Sequence, residues 1–228
     1  VVVSITDASL VNVSAGVTTT HTLTVTDDDD PPTVTFDATT SAADEGVGAV
    51  AIGVAISGVS GLDATIPYTV SGTATGSGTD HDLADGFLTI PAGSPSGAFD
   101  FTLADDALHE LDETIIVSIT TASLVNASAG ATTSHTLTIT DDDAAPAATF
   151  DASASTAGES AGIVTIGVTL GAVSELAATI PFTVSGTATG AGTDHDLVDG
   201  SLTIAVGSTT ATVTLTLSDD ALDELDET

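Results

Sequence analysis

Acidic side chains recur at matching positions in the two halves of this chain, and they are the residues whose type and spacing could do chemistry. The chain carries 33 acidic residues and has no Lys or Arg to neutralise them. In the first half the candidate ligands are Glu45, Asp80, Asp105, Asp106, Glu110, Glu113, Asp141, Asp142 and Asp143. Carboxylate oxygens are the ligands that hard divalent cations prefer, so this first-half set indicates cation binding.

The second half repeats the set, because the chain is two copies of one unit. Residues 1–114 align with residues 115–228 without a gap, and most aligned pairs are identical. Its candidate ligands are Glu159, Asp194, Asp219, Asp220, Glu224 and Glu227, with Asp27, Asp28 and Asp29 as the equivalent aspartate run from an adjoining copy. Because Thr228 would continue naturally into Val1, we expect a two-repeat window of a longer periodic polypeptide, or a subunit whose last strands come from a neighbour.

The composition disfavours several classes of function. A formal net charge of −33 at pH 7 opposes binding to nucleic acid or to an anionic membrane surface, and no stretch suits direct membrane insertion. The chain has no Cys, so we expect cations rather than disulfides to stabilise the fold. Since 42% of the residues are hydrophobic, the chain can still bury a core.

Short segments that alternate apolar and polar residues predict half-buried β-strands, as at Val50, Ile52 and Val54. Clusters of Gly, Ser, Asp and Pro separate these segments, and no segment has a convincing helical period. The predicted strands of one unit lie near 33–37, 48–57, 64–71, 87–90, 97–103, 114–120 and 134–140. Seven such strands predict an all-β sandwich.

Proline-containing linkers predict the domain bounds. Pro31-Pro32 and residues 144–146 each follow an acidic run, so we expect one complete domain at 33–143. A second domain is expected at 147–228, with five strands. Residues 1–30 resemble the two strands that it lacks, and we expect them to complete the sandwich of a neighbouring copy.

Strand direction predicts that the carboxylates converge. If seven strands alternate in direction, then the first, third and fifth connections and the exit of the last strand share one end of the sandwich. The first-half set falls in those segments, and we call this end the acidic pole; segments 91–97 and 123–133 at the other end have no acid. Ca²⁺, which takes about 6–8 oxygen ligands, suits such a cluster better than Mg²⁺. A solvated acidic face without metal is the alternative.

Several motifs resemble those of the Calx-beta domain family. They are Gly72-Thr73-Ala74 with Asp80, Asp85-Gly86 with Leu88-Thr89-Ile90-Pro91-Ala92-Gly93, Asp105-Asp106 with Glu110, Asp112 and Glu113, and Thr138-Ile139-Thr140 with Asp141-Asp142-Asp143. The resemblance covers the whole chain and implies tandem immunoglobulin-like Greek-key sandwiches, with the first-half set at the family's calcium-ligand positions. His81 and His195 depart from the family pattern, which usually has Tyr after the aspartate.

Other residues have simpler interpretations. We expect structural roles rather than transition-metal ligation for the histidines, and a plain strand rather than an ice- or carbohydrate-binding array for the Thr-rich residues 18–26. Asn12 and Asn126 each begin an N-glycosylation triplet, which leaves attached glycans open. The sequence has no Cys or Lys nucleophile and no convincing Ser-His-Asp grouping, so we do not expect an enzyme.

These observations, with the resemblance, favour a structural repeat of an extracellular filament or giant adhesin stalk at the cell surface. Ca²⁺ at each domain junction would make the array rigid. The expected partners are other copies of the repeat, joined in covalent tandem or by strand exchange into a polymeric filament. Two alternatives stay open: a calcium-sensing regulatory module, and a non-catalytic carbohydrate- or ice-binding extension of a secreted protein.

Overall fold

The computed structural model of the chain describes residues 1–221 and 225–228. The helical elements in these ranges are short 3₁₀ turns at Asp7–Ser9, Glu45–Val47, Thr121–Ser123 and Glu159–Ala161. Within the same ranges, no helix has the length and apolar character needed to cross a membrane. The strands in chain order are β1 Val2–Ser4, β2 Thr20–Thr22, β3 Thr33–Phe36, β4 Thr40–Asp44, β5 Ala49–Ile56, β6 Ala64–Gly72, β7 Gly86–Ile90, β8 Ser96–Thr102, β9 Glu113–Ile119, β10 Ser128–Ala129, β11 Ser134–Thr140, β12 Ala148–Phe150, β13 Ile163–Leu170, β14 Ala178–Phe182, β15 Gly200–Ile204 and β16 Thr210–Thr216.

Strands β3 to β11 form the first sandwich. Its two sheets have the orders β10-β3-β5-β8 and β4-β11-β9-β6-β7. Neighbouring strands are antiparallel except for β3 with β10 and β4 with β11, which are parallel. The all-β sandwich expected from the sequence is confirmed, and each of the seven strands predicted for one unit is present. Strands β4 and β10 are additional, because neither has an alternating apolar pattern to reveal it.

The core of the first sandwich lies between the inward faces of its two sheets. Strands β3, β5 and β8 contribute Val34, Phe36, Ile52, Val54 and Phe99, and strands β6, β9 and β11 contribute Ile66, Ile115, Val117 and Leu137. The Phe99 ring packs edge-on against Tyr68, with centroids 4.6 Å apart. Burying a Val or Ile side chain fully contributes about 1.5–3 kcal/mol, so this core supplies the main stabilisation of the fold.

His135 is a buried polar residue of this core. Its Nε2 lies 2.8 Å from Ser41 Oγ, and its Nδ1 lies 2.8 Å from the Ala38 carbonyl oxygen. Both ring nitrogens therefore have partners on the segment that contains β4. This is a structural role, and it ties β11 to the neighbouring chain segment.

The second half forms two smaller sheets. Strands β12, β13 and β16 make one sheet, and β14 and β15 make the other. Their strand pairs repeat those of the first sandwich, with β13 to β16 matching β5 to β8. A small buried cluster of Val168, Leu170 and Ile204 lies between them.

The N-terminal segment is a separate two-stranded sheet. Strands β1 and β2 pair antiparallel, with Val3 opposite His21. All residues of both strands are exposed.

One acidic residue, Asp63, lies at the end opposite the acidic pole, where the sequence predicts none. Asp63 precedes β6, and its Oδ1 accepts a hydrogen bond from Ala92 N–H, in the loop after β7, at 2.8 Å. Its carbonyl oxygen accepts another from Asn126 Nδ2. Asp63 belongs to the connection between β5 and β6, outside segments 91–97 and 123–133. Asp63 therefore links the loop before β6 to the loops that follow β7 and β9.

Gly72 provides a test of the packing at the end of β6. Its φ is 141°, and a Cβ there would overlap the Thr114 carbonyl oxygen. That oxygen accepts hydrogen bonds from Thr73 N–H and Ala74 N–H at 3.0 and 3.1 Å. We expect Gly72→Ala to lower the free energy of unfolding of the first sandwich by about 2 kcal/mol or more.

Urea unfolding followed through the fluorescence of Tyr68, the single tyrosine of the chain, measures this change. Gly61→Ala is the matched control, because a Cβ there meets no atom within 4 Å and φ is not positive. Equal unfolding midpoints for the two variants would contradict the assigned role of Gly72.

Candidate metal centre

Strand pairing brings three acidic segments to one end of the first sandwich. Strands β4 and β11 are parallel neighbours, with Asp44 in register with Thr140, so Glu45 and residues 141–143 leave the sheet side by side. Strand β8 pairs with β5, and Leu103 N–H donates to the Gly48 carbonyl oxygen at 2.8 Å. The residues that follow β8, including Asp105 and Asp106, therefore reach the same place. The acidic pole expected from strand direction is present.

Two overlapping groups of carboxylates meet at this pole. Glu45, Asp105 and Asp142 form one triad, and Glu45, Asp106 and Asp143 form the other. In each triad the three carboxylate oxygens lie within 4.8 Å of one another. Glu45 belongs to both, so it is the centre of the cluster.

Gly46 leaves room for this convergence. A Cβ at this position would lie 3.1 Å from Asp142 Oδ2 and 3.5 Å from Asp105 Oδ1. A side chain would press on two carboxylates that belong to the same triad. The aligned residue of the second half is Ser160, so the two units differ here.

Glu45 is buried, and its Oε1 has no hydrogen-bond partner. Burial first, and then the charges of Asp106 and residues 141–143, together raise the pKa of Glu45 from 4.5 to about 7. The Asp143 pKa is also raised, by burial and then by Asp141 and Asp142, and Asp143 Oδ2 is likewise buried without a partner.

The donor set fits a hard divalent cation. A buried carboxylate oxygen without a partner costs free energy, and a bound cation would remove that cost. The two triads offer oxygen donors only, with no sulfur or imidazole among them. Such a set matches the ligand preference of Ca²⁺, Mg²⁺ or Mn²⁺ rather than that of Zn²⁺ or Cu²⁺.

The remaining carboxylates of the first-half set line a cavity beside the triads. The cavity has a volume of about 10 Å³, roughly that of one water molecule, and its acidic lining residues are Glu45, Asp80, Glu110, Glu113 and Asp141. Burial first, then a hydrogen bond with Asp80 and the Asp80 charge, raise the Glu113 pKa to about 7. The structure thus brings all nine first-half candidates to one pole.

A residue of the second half reaches the same cluster. Ser174 Oγ–H donates to the His109 carbonyl oxygen at 2.9 Å, and Glu175 N–H donates to it at 3.2 Å. The Glu110 pKa is raised, first by burial and next by the Glu175 charge. The acidic pole of the first sandwich therefore lies at the junction with the second half.

Glu175 is a functional residue that the sequence does not reveal, because it lies at the pole of the first unit and not at that of its own. Glu175 aligns with Gly61, which is at the opposite end of the first unit. The one available signal was that this acid is absent from the other copy.

His109 was expected to be structural, and its Nδ1 lies 2.8 Å from Asp141 Oδ2.

The second half does not form an equivalent cluster among its described residues. Triads with oxygens within 4.8 Å occur, in residues 1–221 and 225–228, only in the first sandwich. An open cavity of about 560 Å³ is lined instead by Glu159, Asp194, Asp219, Asp220 and Glu227. Glu224 lies outside the described residues. Asp27, Asp28 and Asp29 are exposed and belong to neither triad.

The raised pKa values predict how stability depends on pH in the absence of divalent cations. Between about pH 4.5 and pH 7 the folded chain holds protons on Glu45 and Glu113 that the unfolded chain has released. The free energy of unfolding should therefore fall as pH rises through this window. Since one pKa unit corresponds to about 1.4 kcal/mol, the loss should be on the order of 2–3 kcal/mol, mostly from the buried Glu45.

Thermal unfolding of metal-free protein at several pH values measures the effect. Glu45→Gln should flatten the dependence, because the amide cannot ionise. Asp100→Asn, at an exposed position on β8 outside the cluster, should leave it unchanged. Stability that stays constant or increases from pH 4.5 to 7 would contradict the electrostatic account.

Comparison with known proteins places the chain in a family. Solved structures that it resembles include CBD12 from CALX1.2 (20% identity, TM-score 0.44, covering 83% of this chain and 76% of that chain) and the calcium binding domain CBD12 of CALX1.1 (23%, 0.45, 82% and 76%). The apo-form Calx CBD1 domain matches at 24% identity and TM-score 0.45, covering 50% of this chain and 100% of that one. No curated protein matches. The Calx-beta domain profile matches residues 27–143 and 141–228, so the chain belongs to the Calx-beta domain family, in two adjacent copies.

Proposed function

We propose that the chain is a calcium-binding structural repeat, in which Ca²⁺ at the acidic pole of one sandwich fixes the next one in place. The observation that carries the proposal is Glu45, a buried carboxylate whose Oε1 has no partner and which belongs to both triads. A cation bound at the triads would be coordinated by Glu45 Oε1, which would then have a partner. We propose no catalytic function for the chain.

The chemistry of the pole favours Ca²⁺ over other cations. Mg²⁺ demands near-ideal octahedral geometry and retains several waters, whereas Ca²⁺ accepts 6–8 oxygens in a flexible arrangement. The triads hold five carboxylates, and four more lie beside them. Two Ca²⁺ ions would bring four positive charges to a chain with no Lys or Arg.

The position of the pole supports a mechanical role. Ser174 and Glu175 of the second half bond to His109, which lies in the same connection as Glu110, just before Glu113 at the start of β9. Ions held by that connection would restrict its motion and, through His109, the motion of the second half. Neutralising the pole would also let Glu175 remain close to Glu110 without repulsion. Ion binding would therefore stiffen the junction.

An extracellular filament or adhesin stalk suits these properties. Extracellular modules bind Ca²⁺ with dissociation constants of about 0.1–1 mM, which open, acidic, loop-built sites can provide. A net charge of −33 opposes association with nucleic acid or an anionic membrane, and similar tandem units suit a repetitive rod at the cell surface. Other copies of the repeat are the partners that this role requires.

Calcium-dependent stability tests the binding function. In the full chain, Ca²⁺ at 100 times its dissociation constant should raise the free energy of unfolding of the first sandwich by about 2.7 kcal/mol, seen as a higher melting temperature. Glu45→Gln should lose most of this shift. In metal-free buffer at pH 8 the same variant should melt above the wild type, because it removes a buried charge.

Asp100→Asn controls for the loss of one negative charge far from the triads, and it should retain the full calcium shift. A melting temperature of the wild-type first sandwich that Ca²⁺ leaves unchanged would overturn the proposal. It would leave a solvated acidic face.

The junction role has a separate test. Glu175→Gln removes a carboxylate of the second half that lies close to Glu110, so we expect Ca²⁺ affinity to fall a few-fold, about 1 kcal/mol or less. Calcium should also reduce the spread of molecular dimensions of the wild type in small-angle X-ray scattering, and reduce it less in the variant. If Ca²⁺ binds but leaves the scattering of both proteins unchanged, the stiffening role is wrong while the binding function stands.

A further inference from the structure

The junction between the two units joins two short segments of the chain. His109, in the connection before β9, pairs in parallel with Ser174, in the connection before β14. Ser174 Oγ–H donates to the His109 carbonyl oxygen at 2.9 Å, and Glu175 N–H donates to the same oxygen at 3.2 Å. Ser174 is 3% exposed, so the contact is a buried one. We call residues 173–176 the docking loop and residues 107–113 the docking connection.

The docking connection differs between the two units at one residue. Its aligned segment, residues 221–227, is identical except that Asp223 stands in place of His109. His109 Nδ1 lies 2.8 Å from Asp141 Oδ2 and 3.2 Å from the Asp143 carbonyl oxygen. Both partners are acceptors, so Nδ1 carries a hydrogen and donates it. An ionised aspartate at this position has no hydrogen to donate and would add a negative charge.

The docking loop also differs between the units at one residue. Its aligned segment, residues 59–62, is identical except that Gly61 stands in place of Glu175. The loop is held in the same way in both units, since in each a leucine N–H donates to the serine Oγ two residues earlier at 3.0 Å. The Glu175 carboxylate is therefore the feature that distinguishes the two loops.

The two differences face each other across one interface, and both concern negative charge. The Glu175 carboxylate lies close enough to the docking connection to raise the Glu110 pKa, after the effect of burial. His109 adds no negative charge beside it. An aspartate at position 109 would meet the Asp141 carboxylate on one side and the Glu175 carboxylate on the other. Like charges that meet across a contact disfavour the wrong partner.

We propose that residues 109 and 175 form a matched pair by which the docking loop selects the connection that it binds. The loop with Glu175 accepts a connection with His and rejects a connection with Asp, the residue found at Asp223. The loop with Gly61 has no acid and would accept either connection. Specificity thus comes from repulsion of the wrong partner. The selection needs no bound ion, so it does not rest on the proposed function.

The matched pair would also set the order of units in an array. A unit with Glu175 can follow a unit with His109, as it does in this chain. The same unit placed behind a copy of itself would bring Glu175 against Asp223. Replacing His109 by Asp therefore converts the junction of this chain into the disfavoured combination.

Hydrogen exchange of the residue-175 amide tests the proposal, because that amide donates to His109 across the junction. Its protection factor, measured by NMR on the full chain, reports how often the loop leaves the connection. The measurements are made with chelator in about 0.01 M salt, where charges act over about 30 Å. The variants are His109→Asp, Glu175→Gly and the two combined, all of which retain the amide.

His109→Asp should lower the protection factor about 5-fold or more, because residues in contact couple strongly. Glu175→Gly alone should change it little, since the aligned loop is held in the same way with Gly61. In the Glu175→Gly background, the loss caused by His109→Asp should be at least about 3-fold smaller. This difference should disappear in about 1 M salt, where screening leaves a range of about 3 Å.

Three controls separate charge from structure. His109→Asn keeps a hydrogen for Asp141 and adds no charge, so the protection factor should stay near that of the wild type in both backgrounds. Ser96→Asp adds one negative charge at an exposed position of β8, at the end opposite the acidic pole, and should have no effect. The amides of Ile66 and Val117, in the core of the first sandwich, should stay protected in every variant, which shows that the sandwich remains folded.

Equal losses from His109→Asp in the two backgrounds would mean that His109 acts only on its own pole, and they would overturn the selection. A protection factor that His109→Asp leaves unchanged would do the same. So would a coupling that persists in about 1 M salt, or a wild-type amide that exchanges as fast as in an unfolded chain. Calcium-dependent melting of the first sandwich is a separate measurement, so failure of the selection and failure of the proposed function can be told apart.

Discussion

Mutual repulsion of carboxylates is the constraint on which the rest of this structure depends. The chain has 33 acidic residues and no Lys or Arg, and nine of the acids meet at one end of the first sandwich. One histidine, His109, bonds to an acid of this cluster, Asp141. The fold therefore uses the free energy of its apolar core to hold together groups that repel one another. Protons on Glu45 and Glu113 relieve part of the repulsion, and a divalent cation would relieve more.

Sheet topology explains why the repulsion is concentrated rather than spread. Because β4 and β11 are parallel neighbours, the residues after both strands leave at the same end, and Glu45 cannot move away from residues 141–143 without loss of that pairing. His135 strengthens the pairing through Ser41 and Ala38. The pole is thus built on rigid elements, which is the arrangement that a binding site needs to hold its ligands before an ion arrives.

The alternating strands and the convergence of acids could both be predicted from sequence, because each follows from a simple period. Strand β4 could not, since Thr-Ser-Ala-Ala-Asp has no apolar alternation and becomes a strand only beside β11. The burial of Glu45 depends on that same pairing. Glu175 was beyond reach for a different reason: it acts on the pole of the neighbouring unit, and a single-unit pattern contains no information on how units meet.

The N-terminal hairpin, residues 1–26, shows strand pairing without the apolar burial that accompanies it in a complete sandwich. Its strands keep the register of β9 and β11 although the apolar face is exposed, so the register is specified by local pairing and not by the core. The buried counterparts of Val3 and Leu23 show what the core adds, namely several apolar side chains at about 1.5–3 kcal/mol each. Local pairing therefore sets the strand register, whereas burial of the apolar face supplies the stabilisation, and a two-stranded hairpin without that burial is marginally stable in water.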